Sequence, residues 1–99
     1  MDYVVVVSPA VKLEMAEAFD WYNTRSAKAA HAFRSEVLSV FDLLKHEPEQ
    51  WALWDEPVRR YILKQYPYTV YFSVIDREVR ILAVGHHKRQ AGYWKNRLL

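Results

Sequence analysis

Val58-Arg59-Arg60-Tyr61-Ile62-Leu63-Lys64-Gln65-Tyr66-Pro67-Tyr68-Thr69-Val70-Tyr71-Phe72-Ser73-Val74-Ile75-Asp76-Arg77-Glu78-Val79-Arg80-Ile81-Leu82-Ala83-Val84-Gly85 is a run of three β-rich segments parted by two short breaks. From Val58 to Gln65 the side chains alternate, Tyr61 and Leu63 to one side and Arg60, Ile62 and Lys64 to the other. That is the period of a pleated strand. Tyr66-Pro67 leaves room only for a tight turn. Tyr68 to Ile75 is aromatic and β-branched throughout and reads as a second strand. Asp76-Arg77-Glu78 turns the chain again, and Val79 to Gly85 is the last strand. Strands on such short connections pair antiparallel, so a three-stranded meander is expected.

Upstream residues supply the second layer. Tyr3 to Val7 is β-branched with no helix former and reads as a buried first strand. Ser8-Pro9 stops it and starts a helix, because serine is a preferred N-cap and proline suits the first helical turn. Val11, Met15, Ala18 or Phe19, and Tyr22 recur at helical spacing through about residue 24, with Glu14, Glu17 and Asp20 assigned to the other faces. After the turn cluster at residues 23–26, Ser26 can cap a second helix. Its apolar stripe is Ala30, Phe33, Val37, Val40, Phe41 and Leu44, and it ends near His46 ahead of Pro48. The two helices form an antiparallel hairpin, and residues 47–57 read as a loop anchored by Trp51 and Trp54. The first strand then crosses over the hairpin to join the meander. The expected architecture is α+β, in the order β-α-α-β-β-β, a small antiparallel-dominated sheet of four strands with a helical hairpin on one face. Its other face is left for Arg60, Lys64 and the tail to line, or for something else to cover.

Composition fits one compact domain spanning residues 1–99, since domains commonly hold about 100–150 residues. With 52% hydrophobic and 15% aromatic residues, the core can be well filled. The absence of cysteine removes disulfides and thiolate metal sites. The start, Met1-Asp2-Tyr3 and four valines, lacks the basic region of a signal peptide, and no apolar run approaches the roughly 20 residues of a membrane span. A cytoplasmic protein is expected. Charge is unevenly spread. Residues 1–56 hold five Lys/Arg against ten Asp/Glu, a net −5, while residues 57–99 hold nine against two, a net +7. A basic face built by the C-terminal half would suit an anionic partner; solvated strand cations are the plainer reading.

The residues that could carry chemistry gather at 84–95, Val-Gly-His-His-Lys-Arg-Gln-Ala-Gly-Tyr-Trp-Lys. His86 and His87 are adjacent, so an extended backbone sends them to opposite faces. They lack HxH, HxxxH or CxxC spacing, so no metal site and no cofactor are expected. One histidine could act as a general base, and Tyr93 as an acid or a phosphate ligand. Either histidine could equally be a structural residue, and Trp94 reads as a plug for the end of the sheet. Arg60, Lys64, Lys88, Arg89, Lys95 and Arg97 offer point charges and bidentate forks for phosphate or carboxylate. A metal-independent ribonuclease would need little more: a base, an acid and cations around the phosphate.

Several segments together resemble the RelE/ParE superfamily of bacterial toxins. They are residues 59–72 (RRYILKQYPYTVYF), residues 79–87 (VRILAVGHH), Arg89 with Gly92-Tyr93-Trp94, and upstream Ser8-Pro9 and Phe19-Asp20-Trp21-Tyr22. The likeness covers nearly the whole chain and implies the β-α-α-β-β-β fold. It also implies the growth-inhibiting toxin half of a type II toxin–antitoxin pair. The partner is then a cognate antitoxin, acidic in its toxin-binding part, forming a hetero-oligomer with the toxin. Two branches diverge. RelE-like members cut mRNA on the ribosome with basic residues and a late tyrosine, whose place Tyr93 takes, with Arg60 among the strand cations. ParE-like members block DNA gyrase. Thr69 and His87 stand where RelE-like enzymes carry arginines, whereas His86-His87-Lys88-Arg89-Gln90 is similar to the His-x-x-Arg-Asp run of ParE-like members, departing at Gln90. The ParE-like branch is the expected one, with a ribosome-dependent endoribonuclease as the alternative. A relative that only binds its partner is a third possibility.

Overall fold

The computed structural model describes residues 2–90 and 92–98. Strand β1 is Val4–Val7, followed by helices α1 (Pro9–Asn23) and α2 (Ala27–Leu44) and strands β2 (Leu53–Asp55), β3 (Val58–Ile62), β4 (Tyr68–Ile75) and β5 (Glu78–His86). The sheet order is β1-β5-β4-β3-β2, with β1 parallel to β5 and the remaining pairs antiparallel. The α+β architecture is the expected one, enlarged by one strand. No helix among the described residues is long and apolar enough to cross a membrane.

Local chemistry explains the helical hairpin. Ser8 Oγ accepts from the Val11 N–H at 3.3 Å, with Pro9 in the first turn, and Ser26 Oγ accepts from the Ala29 N–H at 3.1 Å. Both satisfy N–H groups that a helix start leaves orphaned. The connection is held by Arg25, whose guanidinium stacks 3.6 Å from the Trp21 ring centroid and donates to the Trp21 carbonyl. Ala30, Phe33, Val37, Val40, Phe41 and Leu44 of α2 are all buried, as their spacing requires. They pack on Tyr68, Val70, Phe72, Val79, Ile81 and Val84 of the central strands.

Three expectations are corrected. The first strand is not fully buried: Val4 is 62% exposed, and Val6 is exposed too. Strand β1 lies at the sheet edge with one neighbour, so only Val5 and Val7 pack on the core. Residues 47–57 are not simply a loop. Pro48–Gln50 forms a short 3₁₀ turn and Leu53–Asp55 adds the edge strand β2, pairing Leu53 with Arg59 and Asp55 with Val58. Arg59 fastens this segment by donating to the Glu49 and Trp51 carbonyls at 3.0 and 2.6 Å. Strand β3 ends at Ile62, short of Gln65: the Leu63 N–H still donates to the Tyr68 carbonyl at 2.9 Å, and the chain turns from Lys64.

The face away from the helices, expected to be lined by Arg60, Lys64 and the tail or covered by something else, is largely closed by the tail. A second apolar cluster covers its middle: Val58, Leu82, Ala83 and Trp94, with Trp54, Tyr71, Tyr93 and Leu98 against it. A β-bulge makes this possible. Tyr71 pairs with Ala83 but Phe72 pairs with Ile81, so Leu82 is an extra residue in β5. Leu82 and Ala83 therefore both join the far cluster, and Val84 returns to the helix-side core. Trp94 is 0% exposed and packs on Tyr71 and Trp54, with ring centroids 4.8 and 5.5 Å away. Trp94→Ala should lower stability by about 3–5 kcal/mol, read from the urea midpoint, and Trp94→Phe by clearly less. Equal midpoints for wild type and Trp94→Ala would show that the tail does not close this face.

Candidate functional site

The site is organised by a residue whose importance its charge conceals. Glu14 sits on α1 three positions after Val11 and four before Ala18, both buried, so it points inward with the apolar stripe. Its side chain is 11% exposed. Strand β5 continues past the end of β1, which pairs only as far as Val7 with Ile81, and leaves backbone groups without a strand partner. Glu14 Oε1 accepts from the Val84 N–H at 3.2 Å, and Arg97 Nη1 donates to the Leu82 carbonyl at 3.1 Å. The same Arg97 pairs with Glu14 Oε1 at 3.1 Å, so the carboxylate and the guanidinium together close the strand edge.

Tyr93 completes the cluster. Gly92, at φ +82°, turns the chain back in a conformation that glycine adopts without strain. The tyrosine ring then lies against Gly85, where a Cβ would come within 3.0 Å of the phenolic oxygen. The hydroxyl donates to Glu14 Oε2 at 2.5 Å. Arg89 stacks on the ring, 3.7 Å from its centroid, with Nη1 3.7 Å from Glu14 Oε2. Burial first, then the hydrogen bond to the Glu14 carboxylate and its charge, push the Tyr93 phenol far above its ordinary value, and Arg89 and Arg97 only partly offset this. Tyr93 keeps its proton throughout the physiological range.

The other sequence candidates are spread around this cluster. The His86 ring lies edge-on to Tyr68, with centroids 5.0 Å apart, and its Nδ1 accepts from the Lys88 N–H at 3.0 Å. Neutral His86 therefore carries its proton on Nε2. His87 is turned to the opposite side, where Nε2 and the buried Thr69 Oγ1 are 3.0 Å apart. Lys88 and Arg89 line a cleft of about 750 Å³ between α1 and the end of β5, together with His86, Arg97, Leu13 and Trp21. Lys95 is elsewhere, pairing with Asp55 at 3.4 Å. Arg60 is exposed on β3, and Lys64 sits in the β3–β4 turn, its N–H donating to Glu36 Oε2 at 2.8 Å. Thus the structure joins Tyr93 and Arg89, and does not gather His86, His87, Tyr93 and Arg60 around one phosphate-sized space. Among the described residues no group of three or more His, Asp or Glu side chains is placed to hold a metal ion.

Comparison with known proteins agrees with this architecture. Residues 5–91 match the family model described as ParE toxin of type II toxin-antitoxin system, parDE. The chain belongs to the ParE toxin family. A chain of the solved "Chromosomal ParDE TA system from P. aeruginosa" superposes with a TM-score of 0.75 at 17% sequence identity, covering 85% of this chain and 95% of that one. No curated protein matches the sequence significantly. As a ParE toxin, the protein is one half of a type II toxin–antitoxin system. Glu14 and Arg97 are the members of the cluster that the sequence reading undervalued. The available signal was the acidic side chain placed inside the α1 stripe.

Two measurements test these assignments. Tyr93→Phe should cost about 1.5–3 kcal/mol, as expected for a bond to an ionised acceptor. Glu14→Ala should cost about 3 kcal/mol or more, because it strands Arg97 and the Val84 N–H. Urea midpoints that fail to rank the two in that order would contradict the assigned hub. His86 provides the second. Burial, followed by the charges of Lys88 and His87, holds its pKa below the ordinary value. The unfolded chain thus takes up the proton first as pH falls, so this contribution is full above about pH 6.5 and is lost below it. The drop in urea midpoint between about pH 7.5 and about pH 5.5 should be smaller in His86→Asn than in wild type.

Proposed function

We propose that this ParE toxin arrests growth in the cytoplasm by binding and inhibiting DNA gyrase, and that a cognate antitoxin with an acidic toxin-binding segment neutralises it. One observation carries the choice of a binding mechanism over RNA cleavage. The Tyr93 proton is held by Glu14, while His86 and His87 face opposite sides of β5. A cleaving centre needs an acid, a base and a cation within reach of the same phosphate; here the proton of the acid candidate is committed to Glu14, and of the two imidazoles only His86 shares the cleft with Arg89. The pushed-up phenol is also a poorer acid than a free tyrosine.

The contact surface proposed for the target is the sheet end at His86, Lys88 and Arg89, with Arg60, Lys64 and Lys95 as outlying charges. The antitoxin is proposed to lie on the basic C-terminal half. The exposed Leu13 and Trp21 beside Lys88 and Arg89 would suit an amphipathic acidic segment. Expression without a partner should stop growth, purified toxin should block gyrase supercoiling, and primer extension should find cellular mRNA intact. Codon-linked mRNA cleavage with normal supercoiling would overturn the gyrase reading in favour of a ribosome-dependent endoribonuclease. Co-expression of the cognate antitoxin should restore growth, and the toxin's affinity for it should fall as salt is raised.

A further inference from the structure

We infer that Glu14 is a positioning residue for the toxic surface, acting through Arg89; the inference rests on the reading of the sheet end at His86, Lys88 and Arg89 as the target-contact surface. Arg89 lies in the irregular stretch that follows β5 and is 55% exposed. A guanidinium there would ordinarily sample many rotamers. Two contacts restrict it: the Tyr93 face it stacks on and the Glu14 carboxylate beside it, both at 3.7 Å. Glu14 governs both, because its Oε2 also holds the Tyr93 hydroxyl and thereby the orientation of the ring. Arg97 differs from Arg89. It is 26% exposed and committed to Leu82 and Glu14, so it serves the strand edge and is not presented outward. The loose 3.7 Å approach leaves Arg89 most of its five donors for a partner while its direction is held. Such prior ordering lowers the entropy lost when an interface forms.

A double-mutant cycle read by inhibition of gyrase supercoiling tests the inference. Glu14→Gln keeps the shape and an acceptor for the Val84 N–H but removes the charge. Arg89→Gln removes the presented group and leaves the bonds of Glu14 to Tyr93, Arg97 and Val84 in place. Each substitution should raise the toxin concentration for half-inhibition about tenfold, and the double variant should show about the same tenfold loss. Circular dichroism at the assay temperature identifies folded variants. Glu14→Asp is the replacement should Glu14→Gln fail to fold. Losses that multiply to about a hundredfold, or a Glu14 variant as potent as wild type, would overturn the inference. So would an inert Arg89→Gln, while leaving gyrase inhibition intact. If wild type itself does not inhibit supercoiling, the gyrase reading fails. The same cycle is then read as the expression level that halves growth, with non-additive losses supporting the positioning role and multiplying losses overturning it.

Discussion

Strand β5 runs for nine residues, Glu78–His86, while β1 beside it runs for four. Beyond the end of β1 the unequal lengths leave β5 as an open sheet edge, where unpaired backbone groups are costly and invite unwanted pairing. Glu14 and Arg97 stand in for the missing strand. The carboxylate from α1 takes the Val84 N–H, the guanidinium from the tail takes the Leu82 carbonyl, and each neutralises the other. Much else follows from that substitution. Tyr93 is drawn around the edge to the same carboxylate, Trp94 is carried onto the far face, and the tail becomes part of the second core.

The charge asymmetry of the sequence takes on a different meaning in this frame. Cations of the C-terminal half are partly answered within the chain: Arg89 and Arg97 by Glu14, and Lys95 by Asp55. The exposed Lys95–Asp55 pair adds little stability; the Glu14 cluster, shielded from water, adds more. What remains for an outside partner is narrower than a whole basic face: Lys88 and the outward side of Arg89 where β5 ends, and Arg60 and Lys64 on and after β3.

Periodicity made most of this fold legible. The stripe of α2 and the aromatic, β-branched run of β4 are strong local signals, and serine caps marked both helix starts. Leu53–Asp55 escaped because three residues hold only one alternation, and the prolines at 48 and 57 suggested a loop. The exposure of Val4 could not be read from β-branched composition, since being an edge strand is a property of topology. The Glu14–Tyr93 bond spans 79 positions in sequence, and nothing local to either residue announces it. Trp94 was legible as a plug because Gly92 lets the chain turn back just before it.

The extra residue at Leu82 acts as an inversion point in β5. Before it, odd-numbered side chains belong to the helix-side core; after it, even-numbered ones do. That single residue decides which imidazole of an otherwise symmetrical pair sees the cleft and which sees Thr69, and it sets Gly85 beneath Tyr93. Loss of that residue would leave both histidines in place, since Ile81 followed directly by Ala83 alternates correctly; pairing it in unbroken register would exchange them without altering either. What the sheet end presents is thus set by register as well as by side-chain identity, a difference that comparison of aligned side chains would overlook.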